Sequence, residues 1–150
     1  MRKGTGGKLM FQFIIATHGN FAKGIENSIG IILGKFENLE SLPCYTKEDF
    51  NLAKEIDRML LQYKDKEIIV VTDIFGGSVN NAFMEKIPSN KNLHVISGLN
   101  LSLILELLGE QEEYNNAKEL IENSIINSKE SVKYGNLELE KENQMEDEEF

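Results

Sequence analysis

The sequence predicts an α/β protein with an open, doubly wound, mainly parallel sheet of strand order 2-1-3-4 and helices on both faces. Short runs of strand-forming residues alternate along the chain with amphipathic, helix-like stretches, the pattern typical of parallel sheets. Two runs, residues 9–16 and 67–73, show almost no polar alternation, which indicates burial on both faces. Polar residues follow the strand ends, where open α/β sheets bind ligands.

The first half of the chain predicts two strands and two helices. Asn20 is a candidate N-cap for the first helix, because its side-chain oxygen can accept from free backbone N–H groups. Pro43 favours an edge position for the second strand, since proline cannot donate to a ladder. In order, these elements are a strand ending near residue 18, a helix at 21–33, a short strand at 38–45 and a helix at 48–63.

The second half predicts a strand at 67–73, a helix at 79–87 ending at Pro88, a strand at 93–97, and helices at 101–108 and 114–128. The periodicity is lost after Gly135, and we expect residues 136–150 to form an acidic, flexible tail without regular structure. We interpret residues 1–9, which are rich in glycine and lysine, as a leader, and residues 10–135 as one folded domain.

Composition limits the classes of function. The 150 residues are 41% hydrophobic and 27% charged, as in ordinary globular proteins, and neither a membrane-spanning run nor a signal-peptide pattern is present. The single cysteine, Cys44, excludes an internal disulfide, gives no metal-binding spacing and fits a cytoplasmic location. The net charge of −9 argues against nucleic acid as a partner, because phosphate neutralisation needs clustered Lys and Arg.

Three predicted strand ends carry unusual polar residues. They are Thr17-His18-Gly19, Thr72-Asp73 with the following Gly76-Gly77-Ser78, and Ser97-Gly98-Leu99-Asn100. Right-handed crossovers place the carboxyl ends of parallel strands on one edge of the sheet. With strand order 2-1-3-4, His18 and Asp73 would flank the crevice where the chain connections diverge.

A histidine beside an aspartate can act as a nucleophile. The carboxylate fixes the imidazole tautomer, leaves the other ring nitrogen with its lone pair, and stabilises the cation formed by attack. The Gly76-Gly77-Ser78 loop would let backbone N–H groups approach an anion at the start of a helix. The combination predicts phosphoryl transfer onto and off His18, without a metal or a cofactor.

Other interpretations of these residues remain open at this point. A hydrolase with a catalytic triad of Ser78, His18 and Asp73 is conceivable, but the G-x-S-x-G motif expected around the serine is absent. A flavodoxin-like cofactor binder would need several aromatic residues at the same edge, and Phe75 alone does not supply them. We expect His94, with no carboxylate near it in the pattern, to be structural, and Cys44 to be a small buried apolar residue.

Three motifs resemble the IIA component of the mannose-type sugar phosphotransferase system (the mannose, fructose and sorbose family). They are I-I-A-T-H-G-N-F-A-K-G, V-V-T-D-I-F-G-G-S-V-N-N-A and V-I-S-G-L-N-L-S-L-I-L-E-L. The resemblance implies a cytoplasmic, usually dimeric phosphocarrier that accepts a phosphoryl group from the phosphocarrier HPr and passes it to a IIB component. It meets the membrane components only indirectly. It also implies that His18 is phosphorylated, that Asp73 orients it, that Gly76, Gly77 and Ser78 lie beside the phosphate, and that Asn100 borders the pocket.

Two positions depart from that family pattern: Val79 and Ser102 replace prolines, which affects loop rigidity rather than transfer chemistry. One rival with the same fold is the phosphotransfer subunit of the dihydroxyacetone kinase system, which usually carries a shorter D-M-G-S motif. Another is the IIA-like regulatory module of sigma-54-dependent activators. The sugar is left open among mannose, fructose, sorbose, N-acetylgalactosamine and gluconate, because the membrane components choose it.

Overall fold

The computed structural model describes residues 10–148, so the predicted leader at residues 1–9 lies outside the described residues. The strands are β1 (Phe11–His18), β2 (Leu39–Cys44), β3 (Glu67–Thr72) and β4 (Leu93–Ser97). The helices are α1 (Phe21–Ile32), α2 (Leu52–Gln62), α3 (Ser78–Met84), α4 (Leu101–Glu110), α5 (Ala117–Lys129) and α6 (Gly135–Glu148). Short 3₁₀ turns follow α3 at Ile87–Ser89 and α4 at Gln111–Glu113.

The four strands form one parallel sheet of order β2-β1-β3-β4, which confirms the predicted fold class and strand order. The central strand β1 pairs on both sides, with Ala16 opposite Leu42 of β2 and Thr72 of β3. Strand β2 lies at the edge, as Pro43 predicted. The connections from β1 and β3 lead to opposite sides of the sheet order, so the crevice between these two strands is the topological switch point.

Side chains of the central strands alternate between two hydrophobic cores, one on each face of the sheet. Phe13 and Ile15 belong to a core shared with α1, α4 and α5. Ile14 and Ala16 belong to a second core shared with α2 and α3. Both faces of β1 are therefore covered, which explains its nearly uninterrupted apolar sequence and confirms helices on both faces of the sheet.

Some predicted helix caps and boundaries differ from the structure. Helix α2 begins four residues later than predicted, where the Asn51 side chain accepts from the Lys54 N–H at 3.1 Å. The prediction that Asn20 caps α1 is wrong: Asn20 makes no side-chain cap bond, and the Ala22 N–H donates to Thr17 Oγ1 at 2.8 Å. Helix α3 ends before the predicted stop, and Pro88 lies in the following 3₁₀ turn.

The acidic segment is helical as far as Glu148, so the prediction that it lacks regular structure is wrong. Helix α6 is rich in the helix-forming residues Glu, Leu, Lys and Met, and Lys141 forms an i,i+3 ion pair with Glu138 at 3.5 Å. It contains no buried residue, so side-chain packing does not hold it. Within residues 10–148, no helix is long and apolar enough to cross a membrane.

Candidate functional site

His18 and Asp73 lie at the carboxyl ends of the adjacent strands β1 and β3. Since Ala16 is opposite Thr72, the next residues of both strands reach the same edge of the sheet. The backbone N–H of His18 donates to Asp73 Oδ2 at 2.8 Å, and His18 Nδ1 lies 2.8 Å from the same oxygen. Asp73 Oδ1 accepts from the Ile74 N–H at 3.0 Å. The structure thus brings together the two residues that the strand order predicted to meet.

The Asp73 carboxylate is held in its charged form. Partial burial acts to raise its pKa, but hydrogen bonds from the His18 backbone and ring and from the Ile74 N–H together outweigh burial, so the pKa of Asp73 is lowered. A charged carboxylate can only accept, so the proton between the two groups resides on His18 Nδ1. His18 Nε2 then carries the lone pair, on a side chain that is 47% exposed.

The loop between β3 and α3 passes close beneath the His18 ring. The Gly77 N–H donates to the Ile74 carbonyl at 3.2 Å, and Gly76 has a φ of +82°, which a type II turn requires at its third position. A Cβ on Gly77 would lie 2.8 Å from Ile74 Cγ2 and 3.4 Å from His18 Cε1. Gly76 therefore allows the turn, and Gly77 allows the loop to approach the His18 ring closely. The Gly77 N–H is used within the turn, so it is not the free anion donor that the sequence suggested.

Ser78, the first residue of α3, faces the free nitrogen of His18. Its Oγ lies 3.4 Å from His18 Nε2. The same oxygen lies 2.9 Å from the hydroxyl of Tyr45. Ser78 therefore joins His18 and Asp73 in one cluster, as predicted, and it extends that cluster to a fourth residue.

Tyr45 is the site residue that sequence reasoning missed. It directly follows Cys44, which pairs with His18 in the sheet, so its place after β2 on the same edge was the available signal. Its ring centroid lies 5.6 Å from that of His18, with an interplanar angle of 41°. Its φ is +65°, and within residues 10–148 it is the only residue other than glycine with a positive φ.

Asn100 has a structural task. Its Oδ1 accepts from the Leu103 N–H at 2.8 Å, which caps α4, and its Nδ2 lies 3.4 Å from the Gly98 carbonyl. It follows β4 at the same edge of the sheet. In the part of the chain that the structure describes, however, its side-chain hydrogen bonds remain within its own turn and none reaches His18, Asp73 or Ser78.

The other two candidate side chains lie apart from the cluster. His94 Nε2 lies 3.7 Å from Glu67 Oε2, beyond hydrogen-bond distance, so a carboxylate lies nearer to His94 than the sequence pattern alone indicates. The two residues come close because β3, which begins at Glu67, pairs with β4, where His94 lies opposite Ile69. Cys44 is fully buried, and burial, followed by the charge of Asp73, raises the pKa of its thiol to about 12. It packs as the small apolar residue that the sequence predicted.

Exposed apolar side chains follow His18 and Asp73 closely in the chain. Ile74 and Phe75 lie in the loop after Asp73, and Phe21 lies at the start of α1, just after His18; all three are largely exposed. Among residues 10–148 there is no group of three or more His, Cys, Asp or Glu side chains placed to hold a metal ion. The cluster therefore consists of a histidine, a carboxylate in contact with its backbone N–H and its ring, and two hydroxyl groups.

Comparison with known proteins finds one family. The family model EIIA-man, described as the PTS system fructose IIA component, matches residues 12–125, a range that includes His18, Asp73 and Ser78. The fructose-specific EIIA component of Bacillus subtilis (strain 168) is 30% identical over 134 residues, covering 88% of this chain and 91% of the relative.

Solved structures show the same likeness. A Klebsiella pneumoniae protein, solved as a candidate permease of the phosphoenolpyruvate-dependent sugar phosphotransferase system (PTS), superposes with a TM-score of 0.82 at 37% identity. The alignment covers 91% of this chain and 99% of that one. The phosphotransferase system component EIIA of Streptococcus agalactiae gives a TM-score of 0.77 at 27% identity, covering 85% and 99% of the two chains.

Proposed function

This chain belongs to the EIIA-man family of phosphotransferase-system IIA components, phosphotransferases that act as phosphocarriers in sugar uptake, and from that premise we propose how its own residues carry the phosphoryl group. His18 accepts the group on Nε2 from phosphorylated HPr and passes it to a IIB component. Asp73 orients the imidazole, and Gly76, Gly77 and Ser78 lie beside the phosphate. The protein works in the cytoplasm as a homodimer, and it contacts the membrane components of the system only through IIB.

The observation that carries this proposal is the double contact of His18 with one oxygen of Asp73. It holds the Nδ1 proton against the carboxylate and leaves Nε2 as the nucleophile. In the transfer, the Nε2 lone pair forms the new N–P bond while the P–N bond of the donor phosphohistidine breaks and leaves its electron pair on the donor nitrogen. The Nδ1 proton stays in place, so no general base is needed.

The loop after Asp73 supports a phosphate next to Nε2. Gly76 and Gly77 carry no side chains, which leaves room beside the ring where any Cβ on Gly77 would approach His18 Cε1. The Ser78 hydroxyl is within 3.4 Å of Nε2, close enough to donate to an oxygen of a phosphoryl group attached there. A small number of uncharged hydrogen-bond donors suits a phosphocarrier, because the phosphoryl group must be passed on to the next protein and not bound too tightly.

The apolar surface around the cluster suits short-lived docking of two partners in turn. Ile74, Phe75 and Phe21 are exposed next to a half-exposed His18, so a partner protein that brings its own histidine to Nε2 would cover them. In-line transfer needs the two nitrogens on opposite sides of one phosphorus atom, which an accessible Nε2 permits.

The test is phosphorylation of the purified protein by phosphoenolpyruvate, enzyme I and HPr, followed by intact mass and acid lability. The wild type should gain one acid-labile phosphoryl group and His18→Ala none. His94→Ala is the matched control and should be modified like the wild type, because His94 lies outside the cluster. A folded wild type that stays unmodified would contradict the proposal. Light scattering would test the dimer.

A further inference from the structure

The Tyr45 side chain contacts two residues of the proposed phosphorylation site. Its hydroxyl lies 2.9 Å from Ser78 Oγ. Its ring packs between the His18 ring at 5.6 Å and the Phe50 ring at 5.5 Å, the second in an edge-on arrangement. These contacts place the hydroxyl at one end of a continuous line of polar groups that runs from Tyr45 through Ser78 and His18 to Asp73.

The backbone at Tyr45 is held in a costly conformation. A φ of +65° is unfavourable for a residue with a Cβ, and a bulky side chain is rare there. Such strain persists where surrounding contacts fix it, and it is concentrated at functional sites. A glycine or an asparagine would suit this backbone better. The conformation is explained if the side chain of Tyr45 has a task at the site.

We propose that Tyr45 is a positioning residue for phosphoryl transfer, whose hydroxyl donates to Ser78 Oγ and so directs the single Ser78 proton towards His18. This inference rests on the proposed function and extends it to a residue that touches neither Asp73 nor the donor nitrogen. Tyr45 acts only through Ser78 and through packing on the imidazole.

The number of protons on the two hydroxyl groups sets the direction of these hydrogen bonds. A serine hydroxyl donates one hydrogen bond and can accept two. With Tyr45 donating to it, the Ser78 proton is directed at the Nε2 lone pair before transfer. After transfer, Nε2 is bonded to phosphorus and the same proton turns to a phosphoryl oxygen, while Tyr45 continues to donate. The N–P bond forms from the Nε2 lone pair as the donor P–N bond breaks, and neither hydroxyl gives up its proton.

Two effects make the Tyr45 hydroxyl contribute to the rate. Hydrogen bonds in a chain polarise one another, so a Ser78 hydroxyl that accepts from Tyr45 is a better donor to the transferring group. The bond also holds the Ser78 hydroxyl in place, where it would otherwise rotate towards water at the start of α3. Both effects favour the bond to an anionic phosphoryl oxygen more than the 3.4 Å contact with Nε2 that it replaces, so they act on the transition state more than on the reactant. Neither effect involves docking of the partner.

The decisive variant is Tyr45→Phe, which keeps the ring against His18 and Phe50 and removes only the hydroxyl. We expect the rate of His18 phosphorylation at saturating phospho-HPr to fall roughly 3- to 10-fold, the effect of one hydrogen bond. The half-saturating concentration of phospho-HPr should stay unchanged. The ¹⁵N signal of His18 Nε2 in the unphosphorylated protein should shift as well, because the Ser78 donor is altered.

The control for the chain of bonds is the double variant. In Ser78→Ala the Tyr45 hydroxyl has lost its acceptor, so adding Tyr45→Phe should slow transfer no further. Tyr134→Phe removes a hydroxyl from an exposed tyrosine beside α6 and should leave the rate at the wild-type value. The inference would be overturned by equal rates for Tyr45→Phe and the wild type. It would also be overturned if Tyr45→Phe slowed transfer as much in the Ser78→Ala background as in the wild type. Either result would leave the proposed function standing. A wild type that is not phosphorylated on His18 would overturn the proposed function itself, and this inference with it.

Discussion

His18 and Asp73 are joined twice through a single atom, because Asp73 Oδ2 accepts from both the backbone N–H and the ring Nδ1 of His18, each at 2.8 Å. The backbone bond ties the carboxylate to the end of β1, whose position the sheet fixes. The ring bond then ties the imidazole to that carboxylate. Sheet geometry therefore sets the direction in which Nε2 points. A substitution at Asp73 should change the orientation of the His18 imidazole more than it changes the fold.

Asp73→Asn should slow phosphorylation of His18 by up to roughly 10⁴-fold, the size of the loss when an amide replaces the carboxylate that fixes a histidine tautomer. The amide keeps the shape but no longer requires the ring proton on Nδ1, since its NH₂ group can donate to that nitrogen and leave the proton on Nε2. Rates under single-turnover conditions with phospho-HPr would measure this. Asp57→Asn is the control and should transfer normally, because Asp57 is an exposed carboxylate of α2 that pairs with Lys86. Equal rates for both variants would contradict the role of Asp73.

The lowered pKa of Asp73 predicts how stability depends on pH. Burial opposes ionisation, but the His18 and Ile74 hydrogen bonds outweigh it, so the folded protein favours the carboxylate. That contribution is complete above the unfolded pKa of about 3.9 and is lost as the pH falls through the lower folded value. The difference in free energy of unfolding between wild type and Asp73→Asn should be constant near neutrality and shrink below about pH 4. Urea titrations at several pH values would show it, and a difference that grows in acid would contradict it.

Gly77→Ala should damage the loop, because the new Cβ would stand 2.8 Å from Ile74 Cγ2 and 3.3 Å from the Ile74 carbonyl oxygen. Overpacking of this kind costs about 1–3 kcal/mol in free energy of unfolding. Phosphorylation of His18 should slow as well, since His18 Cε1 is the third atom in contact. Denaturant unfolding and the transfer assay would measure the two effects.

Gly24→Ala is the matched control for that substitution. Gly24 lies in α1 with no atom near its absent Cβ, and alanine in a helix interior stabilises by up to about 1 kcal/mol relative to glycine. The two substitutions should therefore change stability in opposite directions. If the Gly77→Ala protein were as stable and as active as Gly24→Ala, the loop would accommodate the Cβ without a loss of stability or transfer rate, and the prediction would be wrong.

The sheet order and the meeting of His18 with Asp73 were predictable because both depend on simple rules. Alternating strands and helices imply parallel strands, and the carboxyl ends of adjacent parallel strands share one edge. Apolar runs without alternation identified the two central strands. The identities of the two polar residues at those ends then determined the chemistry.

The role of Tyr45 and the structure of the acidic segment were less accessible from the sequence. Tyr45 reaches Ser78 because its backbone adopts a φ of +65°, which no sequence pattern indicates for tyrosine. The state of α6 depends on helix propensity and one local ion pair, whereas its charge suggested disorder. Asn100 stands in a motif that suggested the site, but its oxygen is used by the N-terminus of α4.

Tyr63 should ionise late in an alkaline titration. Burial is the largest cause, and the hydrogen bond from its hydroxyl to Glu40 adds to it, so that its pKa is raised to about 12 although Arg58 opposes the shift. Since the folded state favours the protonated phenol, its contribution to stability is complete below the unfolded pKa of about 10 and is lost as the pH rises through about 12. Phenolate absorbance during alkaline titration should show a late step that Tyr63→Phe removes and Tyr134→Phe retains. If that step survived in Tyr63→Phe, it would belong to another group, and the raised pKa of Tyr63 would be contradicted.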